Sequence, residues 1–175
     1  ANLGFISNSN GIDNEIEILS AQDLATQAVI DMKCYVNYYH KGTFKDQLVY
    51  KEQEVNVDLD LAHLKKLNAP IKLKIEKDGN QYLVTGSYYI PVDAFSSQKE
   101  PVKIEKTLAS LPASINTRVG TLSFTKNGNF KLKDGESLKA IIVSPDMASS
   151  GYAKALAVSQ TSKTTTIAEL VLKDE

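Results

Sequence analysis

The stretch Ile71-Lys72-Leu73-Lys74-Ile75-Glu76-Lys77-Asp78-Gly79-Asn80-Gln81-Tyr82-Leu83-Val84-Thr85-Gly86-Ser87-Tyr88-Tyr89 decides the fold class. Ile71, Leu73 and Ile75 alternate with lysines and Glu76, the period-2 pattern of a strand with one face buried and one wet. Asp78-Gly79-Asn80 then supplies turn chemistry before the β-forming run Tyr82 to Tyr89. The stretch predicts an antiparallel hairpin, and its neighbours on both sides extend the same grammar.

Upstream, Val55, Val57, Leu59 and Leu61 alternate with Asn56, Asp58 and Asp60, predicting another half-buried strand. Tyr35-Val36-Asn37-Tyr38-Tyr39-His40, a turn at Lys41-Gly42 and Phe44 to Tyr50 predict a second hairpin. Before it, Ile12, Ile16 and Leu19, then Leu24, Ala25, Ala28, Val29 and Met32, recur at helical spacing, while the turn-rich residues 1–11 favour loop. Ser20 with Asp23 fits a capping pattern, so a second helix is expected from Ala21 to near Lys33. Leu24, Val29 and Met32 are expected to face a sheet.

Downstream, Pro91, Pro101 and Pro112 predict an irregular crossing over residues 91–118, with one short strand around Val102 to Lys106. Thr121 to Thr125, Asn127-Gly128 and Phe130 to Lys133 predict a third hairpin, followed by a strand at Leu138 to Val143. Pro145-Asp146 opens a short helix in which Met147, Ala148, Tyr152 and Leu156 share a face. Leu156 to Ser159 and Thr165 to Leu172 return to strand composition. The expected class is α+β, an antiparallel or mixed sheet with N-terminal helices packed on one face, in one domain over residues 1–175.

Composition bounds the function. Twenty Lys+Arg against 21 Asp+Glu give a net charge of −1, without the basic run that nucleic-acid phosphates demand. The longest apolar stretches, Ala140 to Val143 and Ile167 to Leu172, fall far short of the roughly 20 residues of a membrane span. The lone Cys34 forms no internal disulfide and no thiolate-rich metal site. G-x-S-x-G, G-x-G-x-x-G and the P-loop pattern are all lacking. His40 and His63 have no partner at metal-ligand spacing, so no metal, cofactor or catalytic residue is assigned. Glu15 with Glu17 and Asp58 with Asp60 are carboxylate pairs of the type that serves glycoside hydrolysis, but on these elements they read as solvated faces. Tyr35, Tyr38, Tyr39, Tyr88 and Tyr89 offer flat faces that stack on sugars, against the plainer reading that tyrosine favours half-buried strand positions.

The order of features at the two ends is more specific than composition. Asn14-Glu15-Ile16-Glu17-Ile18-Leu19-Ser20, a helix ending Val29-Ile30-Asp31-Met32, then Tyr35 to Tyr39 and a stretch ending Asp46-Gln47-Leu48-Val49-Tyr50 resemble the opening of polysaccharide chain-length determinants, the Wzz-like polysaccharide co-polymerases. Ser144-Pro145-Asp146, Tyr152, Leu156-Ala157-Val158 and the Thr/Ser-rich run into Ile167 to Leu172 resemble the strand that the family places before its long helical excursion. The middle, residues 51–135, is similar only in being strand-rich. The family usually has Lys or Arg near Ser20, where this chain has Ala21 and Gln22.

The resemblance implies a Wzz-like periplasmic base domain, a fragment of a larger inner-membrane protein with membrane helices on both sides. It further implies homo-oligomeric rings, contact with a polysaccharide polymerase or the glycan chain, and control of the length and export of O-antigen, capsule or exopolysaccharide. Some members carry a cytoplasmic tyrosine kinase domain, which would lie outside this chain. On that reading the chain is no enzyme. The alternatives are a carbohydrate-binding or adhesin-like module, with Asn37 and Gln47 beside the tyrosines, and a secreted hydrolase, for which no general acid and base can be paired by sequence.

Overall fold

The computed structural model describes residues 9–40, 47–49, 51–91 and 99–150. The chain divides into two compact units, residues 1–32 with 146–175, and Lys33–Pro145. The class is α+β, and every strand pairing is antiparallel.

In the first unit one helix, α1, runs without interruption over Ser9–Asp31. It begins inside the segment expected to be loop, and it passes straight through Ser20 and Asp23, so the separate second helix is not formed. No Gly or Pro follows Gly11 within it, and each added residue extends a helix by one backbone bond, whereas a break would require a new nucleus. Val29 is buried, as expected, but Leu24 is 73% and Met32 57% exposed, which overturns their assignment to the core. Leu24 and Val29 are five residues apart, about 140° around a helix that turns roughly 100° per residue, so they cannot share a face. Met32 lies beyond the last residue of α1; its amide still reaches Ala28 O at 3.0 Å. Lys33 then turns the chain with φ 54°, the left-handed reversal common after helices. Residues 145–150 are helical, consistent with the expected opening at Pro145. Ser149 is fully buried, its hydroxyl 2.9 Å from that of Thr26 and 3.1 Å from Asp146 O. The strands expected at Leu156 to Ser159 and Thr165 to Leu172, and the shared face with Tyr152 and Leu156, lie outside the described residues.

The second unit holds two sheets. With β1 Val36–His40, β2 Gln47–Val49, β3 Val55–Leu59, β4 Ile71–Asp78, β5 Gln81–Pro91, β6 Lys99–Leu108, β7 Ala113–Thr117, β8 Gly120–Lys126 and β9 Ser137–Ile142, the orders are β2-β1-β9-β4-β5-β6 and β3-β8-β7. A single helical turn, α2 (Leu61–Leu64), follows β3. The β4–β5 hairpin forms as read, closing at Asp78 opposite Gln81 with Gly79 at φ 59°. The β1–β2 pairing and β9 also match their expected positions, and β3 does as far as Leu59, whereas Leu61, expected in that strand, is exposed and opens α2; the turn at Lys41-Gly42 and residues 44–46 lie outside the described residues.

Alternate residues of both sheets are buried: Ile71, Leu73 and Ile75 on β4, Leu138, Ala140 and Ile142 on β9, Val55, Val57 and Leu59 on β3, Leu122 and Phe124 on β8. Tyrosines tie the two layers together. Tyr38 Oη accepts the Val57 amide at 2.7 Å and donates to Val57 O at 3.2 Å, and Tyr88 Oη accepts from the Arg118 amide at 3.3 Å.

Two expectations fail in this unit. The strand expected around Val102 to Lys106 is present but longer, the ten-residue β6, and β7 follows it, so residues 99–117 are mostly strand and not the irregular crossing expected; residues 92–98 of that crossing lie outside the described residues. Pro101 sits within β6 opposite Tyr89. It is tolerated because β6 is the outer strand of its sheet, where a missing N–H breaks no further ladder. The Asn127-Gly128 hairpin does not form, since β8 already lies between β3 and β7 and has no open edge left. Residues 127–136 find other partners: Asn127 N donates to Glu54 O at 2.7 Å, Gly135 N to Lys77 O at 2.8 Å, and Glu136 O accepts from Lys77 N at 2.9 Å.

Candidate functional site

The wet face of the hairpin that opened the sequence reading becomes a concavity once β9 is inserted beside β4. Lys72, Lys74, Thr85, Ser87, Ser137 and Lys139, with backbone from Leu73 and Gly86, line about 510 Å³ of open space. Strand register explains the cluster. Lys139 stands directly opposite Lys74, Thr85 flanks Lys74 on the other side, and Ile141 and Ser87 flank Lys72. Lys72, Lys74 and Lys139 are exposed, and the hydroxyl residues are half-buried. Lys74 Nζ touches Glu76 Oε2 at 2.5 Å, an exposed pair of small energetic weight. Gly86 contributes backbone alone: a Cβ there would lie 2.2 Å from Lys72 O and 3.0 Å from Leu73 Cα, so only glycine lets β4 and β5 approach this closely. The sequence reading saw the lysines of β4 only as the solvated half of an alternating strand. Lys139 joins them through long-range pairing, for which no local signal exists.

Of the carboxylates singled out beforehand, Asp58 and Asp60 are bonded into the structure. Glu15 and Glu17 are exposed on α1. Asp58 accepts Tyr35 Oη at 2.7 Å and Lys33 Nζ at 2.9 Å. Burial, then the Asp58 hydrogen bond and charge, push the Tyr35 phenol well above its ordinary value. Asp60 caps α2: its Oδ2 accepts the His63 amide at 3.2 Å and meets His63 Nδ1 at 2.5 Å, while Oδ1 accepts the Thr121 amide at 2.8 Å. The His63 bond first, and the Thr121 amide second, hold the Asp60 carboxyl below its usual range. Gly120, at φ +124°, is required beside this clip, since a Cβ would come within 2.7 Å of Asp60 Oδ1 and of His63 Cβ. His40 Nε2 lies 3.4 Å from Glu52 O. Among the described residues no group of three His, Cys, Asp or Glu side chains could hold a metal, and no helix is long and apolar enough to cross a membrane.

The tyrosines do not form a platform. Tyr35, Tyr38 and Tyr88 are buried with bonded hydroxyls, and burial pushes Tyr38 up to about 12. Tyr39 and Tyr89 remain more accessible, but β9 and β4 separate their strands.

Sequence reading missed Glu54. Its carboxylate is wholly buried: Oε1 accepts Lys77 Nζ at 2.9 Å and Tyr82 Oη at 2.7 Å, and Oε2 accepts the Leu132 amide. Burial raises its pKa, but the hydrogen bonds from Lys77, Tyr82 and Leu132 together with the Lys77 charge outweigh burial and leave it below 4.5. Tyr82, raised by burial and then by Glu54, is pushed up to about 12. All four groups are satisfied by one another, so the cluster fastens residues 127–136 to the sheet and leaves no reactive atom open.

Comparison with protein families, curated proteins and solved structures finds no match to this chain.

Proposed function

We propose that this chain is the extracytoplasmic α+β part of a membrane-anchored polysaccharide chain-length regulator, acting without catalysis as an assembling scaffold. The resemblance of residues 14–50 and 144–172 supports this reading, together with the α+β class that begins with a helix. The observation that carries it is α1, the element within the resembling segment. It leaves Ile16, Ile18, Leu19 and Leu24 between 55% and 73% exposed. Ile16 and Leu19, three residues apart, are neighbours on one side of the helix, and an exposed apolar pair of this kind can seat against a second copy. Length control needs a defined geometry, which an oligomer supplies without any reacting group.

The test uses the full-length protein in its own membrane. Ile16→Ser with Leu19→Ser should shift the modal length of the surface polysaccharide and reduce the high-order species seen by sedimentation in detergent. A full-length parent that stays monomeric, with polymer length indifferent to the double substitution, would sink the scaffold. Apolar segments of about 20 residues flanking this chain in its gene are expected on the same reading.

A further inference from the structure

We infer that the lysine-lined concavity on the open face of the six-stranded sheet binds an anionic segment of a glycan, through carboxylate or phosphate oxygens flanked by sugar hydroxyls. The choice of a glycan as occupant rests on the polysaccharide reading above; the choice of an anion rests on the site.

Three observations converge. First, the chain as a whole carries a net charge of −1, so three ammonium groups around one hollow are not the overflow of a basic protein. Second, Lys74 and Lys139 are direct cross-strand neighbours, which brings two ammonium groups within reach of one anion. An ammonium carries three donors, so the Glu76 contact leaves two on Lys74 for an anion seated between the two side chains. Third, the remaining lining is hydroxyl-bearing Thr85, Ser87 and Ser137 around a bare glycine backbone. Hydroxyls both donate and accept, which suits sugar hydroxyls beside the charge, and a volume of about 510 Å³ falls within the range of sites for small ligands. Among the described residues no aromatic ring lines the hollow, so recognition here is by charge and hydrogen bonding, with a steep dependence on salt.

The experiment titrates the 175-residue chain at low ionic strength with tetragalacturonate, with neutral maltotetraose and with short polyphosphate, reading heat and amide shifts. Tetragalacturonate should bind and shift the amides of β4, β5 and β9, and maltotetraose should not. Lys74→Gln and Lys139→Gln should each weaken tetragalacturonate about fivefold, the upper end for exposed ion pairs. Lys66→Gln, beyond α2, should leave it unchanged, and melting curves should show all variants folded. Equal binding of the neutral sugar, indifference to both groove lysines, or no binding at all would overturn the assignment. Tighter, equally lysine-dependent binding of polyphosphate would overturn the glycan in favour of a plain polyanion. Assembly of the full-length protein is read separately, so failure here leaves the scaffold standing, and a monomeric full-length protein with intact lysine-dependent binding retires the scaffold alone.

Discussion

Replacing Glu54 with Gln changes one oxygen to an amide nitrogen and no volume, yet it should be among the most destabilising single substitutions in the chain. In the parent, one carboxylate oxygen receives the Lys77 ammonium and the Tyr82 hydroxyl while the other receives the Leu132 amide. Every partner is a donor. A glutamine carries one acceptor oxygen, so whichever way it is turned its NH₂ faces a donor and leaves that group buried without a bond. Lys77 also loses its counter-charge at a site where its side chain is only 18% exposed. Breaking a buried ion pair by removing one partner costs about 3–5 kcal/mol, and Glu54→Gln belongs in that range. Urea unfolding followed by far-UV circular dichroism and tyrosine emission suits a chain with eight tyrosines and no tryptophan.

The pH dependence sharpens this prediction. Because the folded pKa of Glu54 lies below its ordinary 4.5, its contribution is fully present above pH 4.5. It is lost as the pH falls through the folded value. The gap between parent and Glu54→Gln should therefore be constant near neutrality and narrow on acidification below about pH 4.5. A gap under about 0.5 kcal/mol at neutral pH, the size of an ordinary surface change, would refute the view that Glu54 is the hub of this cluster.

Tyr82→Phe keeps the ring and removes one charge-assisted hydrogen bond, so it should cost about 1.5–3 kcal/mol by the same unfolding assay. Phe124 is fully buried on the central strand of the smaller sheet, and Phe124→Ala should cost about 3–5 kcal/mol in the same denaturant titration. Leu24→Ala should leave thermal stability of this chain within about 0.5 kcal/mol, because the side chain is 73% exposed; a larger loss would return Leu24 to a core. Asp60→Ala removes the cap of α2 and should cost about 0.5–2 kcal/mol, with local loss of amide protection at His63 and Thr121 as the hydrogen-exchange signature.

The antiparallel character of the molecule was legible locally. Alternation on β3 and β4 and the Gly79-Asn80 turn need only neighbours in sequence, because side-chain direction in a strand reverses at every residue and a tight turn pins the register. The continuous α1 and the strand β6 were less legible. Ser20 and Pro101 are ambiguous by themselves: a serine caps one helix and rides within another, and a proline interrupts a central strand but not an outer one. Leu24 and Met32 were misplaced because apolar residues along a helix do not announce which of them finds a neighbour.

Which strand lies beside which was beyond any local pattern. Insertion of β9 between β1 and β4 places Lys139 opposite Lys74, and the central position of β8 denies Asn127-Gly128 its hairpin. Glu54, an unremarkable acid in Gln53-Glu54-Val55, became a buried hub only when β4, β5 and residues 127–136 closed over it with three donors. Local chemistry therefore determined the elements and their faces. Long-range pairing decided the charge cluster and the buried lock, because both arise from residues whose proximity is created by the ladder and not by the chain.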